Sequence, residues 1–170
     1  MGENEMRILT YPDPVLKTSA GPIEDIDEEL QGIIDRMIET MYVAPGIGLA
    51  ANQVGLLKRV IVFDGSPGEK GQNPMVLINP EITHREDHIK WNEACLSVVD
   101  FTADVTRDAC VTVQGVDRHG KPVKIDAEEL LAVCLQHEID HLDGTLFIDR
   151  ISSLKRALYK KKLKKKKIEE

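Results

Sequence analysis

An α+β fold is what this sequence predicts: antiparallel β-sheets packed around one central helix, with an N-terminal helix and a C-terminal helix beside it. Three observations carry the prediction. Leu130, Val133, Cys134, His137, His141 and Leu142 fall on one face of a helical stretch, a stripe that belongs against a core. Val111, Val113 and Val116, then the turn Arg118-His119-Gly120-Lys121, then Val123 and Ile125 read as a β-hairpin. Leu30, Ile33, Ile34, Met37, Ile38 and Met41 recur at helical spacing and give a second amphipathic helix.

The elements follow in order. Tyr11-Pro12-Asp13-Pro14 opens the chain with turns, because each proline biases its predecessor to extended backbone. Asp25-Ile26-Asp27-Glu28 supplies side-chain oxygens for unpaired helix N–H groups, so a helix is predicted over 26–42, ended by Pro45-Gly46. Gly46-Ile47-Gly48-Leu49-Ala50-Ala51-Asn52-Gln53 is a run of small residues where backbone can approach another group closely, or simply a tight connection with Gln53 in solvent. It lacks the Lys-Ser/Thr of a phosphate loop and the third glycine of a dinucleotide fingerprint. Arg59 to Asp64 reads as a buried strand, Gly65 to Gly71 as a loop, and Met75 to Ile82 as a strand that Asn79-Pro80 breaks or places at an edge. Residues 84–92 are polar, and His84, His88 and His119 read as surface residues. Asp126, with Glu129 three positions on, is expected to cap the central helix, and Gly144 to stop it. Ser152 or Ser153 is expected to cap a last helix from about 153 to 167, with Leu154, Leu158 and Leu163 as its apolar edge. The division expected is 1–150 for the main body and 151–170 for a lysine-rich helical tail of the same domain.

Composition narrows the class. A chain of 170 residues with 42% hydrophobic and 4% aromatic residues is one ordinary globular domain by size. No run of about eighteen apolar residues is present, so no membrane span is predicted. Met1 to Thr10 lacks the basic and apolar regions of a signal peptide, and a cytoplasmic protein is expected. Its three cysteines, Cys95, Cys110 and Cys134, are an odd count and read as thiols rather than a disulfide framework. The net charge of -7 hides an asymmetry: of 22 Lys and Arg and 29 Asp and Glu, nine basic and two acidic lie in 155–170, leaving 13 against 27 before them. A basic tail on an acidic body suits an anionic partner, nucleic acid among them, as well as a plainly solvated helix.

The chemistry concentrates in Gln136-His137-Glu138-Ile139-Asp140-His141. Histidines at i and i+4 stand one above the other on a helix and can grip one metal ion, with Glu138 placed to handle the proton of a water. A catalytic site of this kind needs a third protein ligand and one open position. The third histidine of one protease pattern would fall at Phe147, and the downstream glutamate of another falls among lysines, so both protease readings weaken. Cys134 lies a full turn before His137, too far along the axis to share its ion. Cys110 sits in a strand with no neighbouring signal. Cys95 ends a separate segment that the fold is free to bring opposite the helix, completing a His2Cys set. A cysteine hydrolase using Cys95, indifferent to chelation, and a catalytically inert binding protein are the other classes weighed.

Gly46 to Gln53, Glu93-Ala94-Cys95-Leu96-Ser97 and Gln136 to Gly144 resemble the three signature motifs of the peptide deformylases, in order and at typical distances, over residues 6–150. Two departures stand out: Ala94 where the family usually has glycine, and no proline in Val98-Val99-Asp100-Phe101. The resemblance implies a metal-dependent hydrolase that removes the formyl group from the N-terminal formyl-methionine of new proteins. It implies Cys95, His137 and His141 as metal ligands and Glu138 as general acid/base. The side-chain amide of Gln53 and the backbone N–H of Leu96 would stabilise the oxyanion. It implies Fe(2+) as the native ion, sensitive to oxygen through the thiolate, with Zn(2+) or Ni(2+) able to substitute. The methionine side chain would enter a pocket of Ile47, Trp91, Leu130, Val133 and Cys134, and the substrate backbone would pair as a strand along Gly46, Ile47 and Gly48. Glu93 and Arg107 are expected to form a buried pair behind Cys95. The expected partners are N-formyl-methionyl peptides and, through Lys160 to Lys167, the ribosome; no membrane partner is expected, and the protein is expected to be a monomer.

Overall fold

The computed structural model describes residues 4–170, so the first three positions of the segment read for a signal peptide lie outside the described residues. The chain forms helix α1 (Glu28–Val43), strands β1 (Gly48–Ala50), β2 (Val60–Asp64), β3 (Pro74–Cys95), β4 (Val98–Val116) and β5 (Pro122–Glu128), then helices α2 (Glu129–Leu142) and α3 (Ser153–Glu169). The five strands make one antiparallel sheet in the order β1-β2-β3-β4-β5.

The period-two geometry of β2 explains the layering. Val60 and Val62 point to one face and pack with Leu30, Ile34, Met37 and Met41 of α1. Ile61 and Phe63 point to the other and pack with Ala132, Cys134, Leu135, Ile139 and Leu142 of α2. Each such buried side chain stabilises the fold by about 1.5–3 kcal/mol relative to exposure, so the continuous apolar run reads as a strand covered on both sides. Asp27 caps α1, its carboxylate accepting the Leu30 N–H at 2.9 Å.

The sheet reaches further than the apolar pattern indicated. Asn79-Pro80 does not end a strand; it makes a bulge within β3, where the register against β4 shifts between Ile78 and Glu81. Asn79 sits at φ 52, and its side-chain amide pairs with both the N–H and the C=O of Ile23, at 2.8 and 2.9 Å. Beyond the bulge, the polar residues 84–92 continue β3 against β4 as a long hairpin. Main-chain ladders and cross-strand pairs such as Arg85–Asp108 at 2.7 Å hold these polar residues in the sheet.

The start of α2 also corrects the sequence reading. Asp126 lies in β5, where its carboxylate accepts the Thr112 hydroxyl at 2.7 Å, so the capping pair with Glu129 does not form. The strand runs straight into the helix through Glu129 at φ 53, a left-handed backbone that a non-glycine residue adopts only under constraint from its surroundings. The other end is as expected: Gly144 has φ 74, and an added Cβ would meet the Lys17 carbonyl oxygen at 2.6 Å. Arg59 closes this end by donating to the Leu142 carbonyl at 3.1 Å.

A third cluster joins Leu16, Val98, Val105, Phe147 and Tyr159 beneath α3. Ser152 caps that helix as expected, accepting from Lys155 N–H at 3.2 Å. Its inward edge is Tyr159 and Leu163, with Tyr159 against Phe101 at 4.7 Å between ring centroids. Leu154 and Leu158, assigned to that edge from spacing, are exposed instead. His84, His88 and His119 lie on the surface as read. Among the described residues, no helix is long and apolar enough to cross a membrane.

Candidate active site

The two-residue turn Leu96-Ser97 ends the β3–β4 hairpin and leaves Cys95 facing the buried flank of α2. Cys95 Sγ lies 3.3 Å from His141 Nε2, and the two Nε2 atoms of His137 and His141 lie 3.2 Å apart. All three ligand atoms fall within 4.8 Å of one another. Tetrahedral coordination at about 2.0–2.3 Å puts neighbouring donors roughly 3.3–3.6 Å apart, so this donor set fits one divalent ion with a fourth position open. Cys134 is not in the cluster, in agreement with the helical argument, and neither is Cys110 of β4.

Electrostatics favour a cation there. Burial disfavours charge on His137, yet the Cys95 sulfur and the Glu93 carboxylate beside it raise its pKa well above the ordinary value. His141 is pushed well below its ordinary value by burial and by the neighbouring His137. With Nε2 turned to the metal point, His137 Nδ1–H donates to Glu93 Oε1 at 2.8 Å, which sets the tautomer and the ring orientation. Glu93 is held in turn by Arg107, whose Nε and Nη2 donate at 2.7 and 2.9 Å. The Glu93–Arg107 pair read from sequence is therefore formed, and both members are buried.

Burial raises the Glu93 carboxyl, but the bonds from Arg107 and His137 outweigh it and hold the group at about 2. A carboxylate depressed on folding contributes stability that is present above its unfolded pKa and lost as pH falls through the folded one. That contribution is expected to hold above the ordinary value of 4.5 and to drain between there and about 2. Urea midpoints across this range check it, and Glu93→Gln should flatten the acid limb.

Glu138 lies beside the donors, its Oε1 4.0 Å from His137 Nε2. Burial pushes its carboxyl up to about 7, against the pull of the His137 charge. Its Oε2 is buried with no hydrogen-bond partner among the described residues. Gln53 is buried rather than pointing into solvent: its Oε1 accepts Ala50 N–H at 3.0 Å, and its Nε2 donates to Ser97 Oγ at 3.1 Å. That amide nitrogen is 3.7 Å from Cys95 Sγ, at the edge of the metal point.

A cavity of about 370 Å³ opens over these groups, lined by Gly46, Ile47, Gly48, Trp91, Leu130, Val133 and Cys134 as well as Gln53, Leu96, His137 and Glu138. Cys134 Sγ is 3.6 Å from the Ile47 carbonyl oxygen, so it belongs to the wall. Ala94 is exposed at the rim, where its methyl group displaces none of the donors. The glycine at 48 is required by space: a Cβ there would stand 2.8 Å from Glu138 Cγ and 2.9 Å from Cys134 Sγ. Gly48→Ala is expected to push Glu138 aside and lower kcat by on the order of 10²-fold with metal content intact, as read by formate release and metal analysis.

Sequence reasoning missed three supports. Ser97 positions the Gln53 amide. Phe147 stacks on His137 at 6.1 Å. Asp140 and Arg150 extend the Glu93–Arg107 pair. Asp140 was visible between the two histidines, but its partners come from β4 and from beyond α2.

Fold and site together fit a metallo-hydrolase: among the described residues, a Cys-His-His cluster able to hold one ion lies beside the buried carboxylate of Glu138. Residues 5–157 match the polypeptide deformylase family. The chain is 57% identical over 162 residues to a peptide deformylase of Thermodesulfovibrio yellowstonii, covering 95% of this chain and 98% of that one. A solved peptide deformylase from Legionella pneumophila superposes with a TM-score of 0.88 at 46% identity over 95% of each chain. One from Ehrlichia chaffeensis in complex with actinonin gives 0.89 at 38% identity, over 95% of this chain and 96% of that one. The chain belongs to the polypeptide deformylase family, and it is a metal-dependent hydrolase that removes a formyl group from peptides.

Proposed function

We propose that Cys95, His137 and His141 hold Fe(2+), that Glu138 is the general acid/base, and that Gln53 and Leu96 receive the oxyanion as N-formyl-methionyl peptides are deformylated. The observation that carries this reading is the convergence of Cys95 Sγ and two imidazole Nε2 atoms at the floor of an apolar cavity, with the Glu138 carboxylate beside them. When bound, the ion lowers the pKa of water and polarises the formyl carbonyl. Zn(2+) and Ni(2+) suit the same donors.

The protein's own groups do the rest. Glu138, poised near 7 by burial, takes the proton of the attacking water and later delivers it to the departing amine nitrogen. The Gln53 Nε2–H and the Leu96 backbone N–H donate to the formyl oxygen as it gains charge. The methionine side chain fills the wall of Ile47, Trp91, Leu130, Val133 and Cys134. The substrate backbone pairs with Gly46, Ile47 and Gly48, which lead into β1 at the edge of the sheet.

The enzyme works as a cytoplasmic monomer on nascent chains. The catalytic body is 1–150, and the lysines of 160–167 in the tail, all exposed, supply phosphate contacts to ribosomal RNA. Co-sedimentation with ribosomes should weaken steeply with salt and disappear on deleting 155–170; binding that survives the deletion would contradict the tail assignment. Anaerobic chelation followed by return of Fe(2+), Zn(2+) or Ni(2+) tests the metal reading. Activity should vanish and return, fastest with Fe(2+). Activity that persists in chelator would favour a cysteine hydrolase.

A further inference from the structure

Behind the metal point, ionic side chains continue outward in an unbroken line. Arg107 grips Glu93 with two donors and extends a third, Nη1, to Asp140 Oδ2 at 2.6 Å. Asp140 is gripped in turn by Arg150, Nε to Oδ2 at 2.6 Å and Nη2 to Oδ1 at 2.7 Å. Side-chain exposure is 3% at Glu93, 3% at Arg107 and 13% at Asp140, but 46% at Arg150, so exposure rises outward and Arg150 forms the solvent end of the line. We propose that Arg150 is a positioning residue for His137, acting through Asp140, Arg107 and Glu93. The inference rests on the reading of His137 as a metal ligand.

Two arguments support it. Charge alternates along the line, and the four groups sum to zero only with Arg150 present. Without it, Asp140 is an uncompensated carboxylate that turns toward water or draws Arg107 off Glu93, and the fixed acceptor of His137 Nδ1–H loosens. Both arginines bind carboxylates in two-pronged geometry, which transmits orientation as well as charge. Secondly, Arg150 and Phe147 share one short 3-10 segment, Phe147–Arg150, and Phe147 stacks on the His137 ring with an interplanar angle of 25°. The segment thus bears on His137 both directly and through the ionic line. As a half-exposed ion pair, Arg150–Asp140 contributes little to global stability, so its effect should show at the metal rather than in folding.

Cobalt-loaded protein tests this through the visible absorption of the ion, the rate of metal loss to chelator, and kcat and KM for a formylated peptide. Arg150→Gln is expected to speed metal loss about tenfold, shift the cobalt spectrum and lower kcat about tenfold. KM and the unfolding midpoint of metal-free protein should stay near wild type. Arg150→Lys, which keeps the charge without the fork, should fall between the two. On a Glu93→Gln background, Arg150→Gln should add nothing, because both act through one line. Wild-type metal loss and spectrum in a folded Arg150→Gln variant would overturn the proposal, as would full additivity with Glu93→Gln. A lowered metal-free midpoint with unchanged metal loss would assign Arg150 to stability alone and overturn it too. Should Arg150→Gln fail to fold, Asp140→Asn keeps the shape and carries the same expectation of faster metal loss, with the same consequence if none is seen. A wild-type protein that binds cobalt and releases no formate would refute the deformylase mechanism, while the metal-loss comparison would still decide the role of Arg150.

Discussion

Glu138→Ala is expected to keep its metal and to release formate about 10²–10⁴-fold more slowly, the range a lost general acid/base commands. The expectation comes from the separation of roles on α2. His137 and His141 bring their Nε2 atoms together with Cys95 Sγ, whereas Glu138 stands 4.0 Å from His137 Nε2 with one oxygen free of any donor among the described residues. A carboxyl near 7 can accept a proton and return it within one turnover at neutral pH. The loss should fall on kcat, with KM little changed, because the apolar cavity wall proposed to hold methionine is untouched. Metal analysis of the same sample completes the test: loss of the ion along with activity would make Glu138 a ligand and contradict the assignment.

Cys95→Ala should abolish stoichiometric metal binding and depress activity further than the about 10–100-fold typical of changes behind the ligands. Two imidazoles remain, one short of the protein ligands a catalytic ion needs. No thiol is positioned to replace the lost one, since Cys134 points to the Ile47 carbonyl and is wall, and Cys110 lies on β4 outside the cluster. The substitution removes one small atom at the end of a hairpin held by main-chain pairing, so the fold should survive. Metal content near one equivalent in the variant would show that the ion is held elsewhere.

Local periodicity made the frame legible. The stripe of α1, the doubly buried β2, the hairpin turn at 118–121 and the stop at Gly144 each follow from contacts between near neighbours in the chain or from one residue's backbone freedom. The two histidines were legible for the same reason, and Cys95 once the helix rise had ruled out Cys134. The long arms of β3 and β4 between 84 and 110 were not. Polar and charged side chains interrupt any clean apolar alternation there, and what makes them strands is pairing with each other, a property of two distant segments rather than of either alone. The entry to α2 failed similarly: Asp126 has the chemistry of a cap, but β4 offers Thr112 to the same carboxylate and keeps the residue in the sheet. The line from Glu93 to Arg150 draws its residues from β3, β4, α2 and the segment after it, and only the folded chain brings them into register. Leu154 and Leu158 show the opposite error, apolar residues at helical spacing that no core covers.

The most direct test is to incubate anaerobically purified, metal-loaded protein with formyl-Met-Ala-Ser and measure formate alongside new free amine, with and without chelator. Formate and amine should appear in equal amounts, without internal cleavage, and only while the ion is bound. Folded, metal-loaded protein that yields no formate, or that cuts the unformylated peptide internally, would contradict the deformylase mechanism built on Cys95, His137, Glu138 and His141.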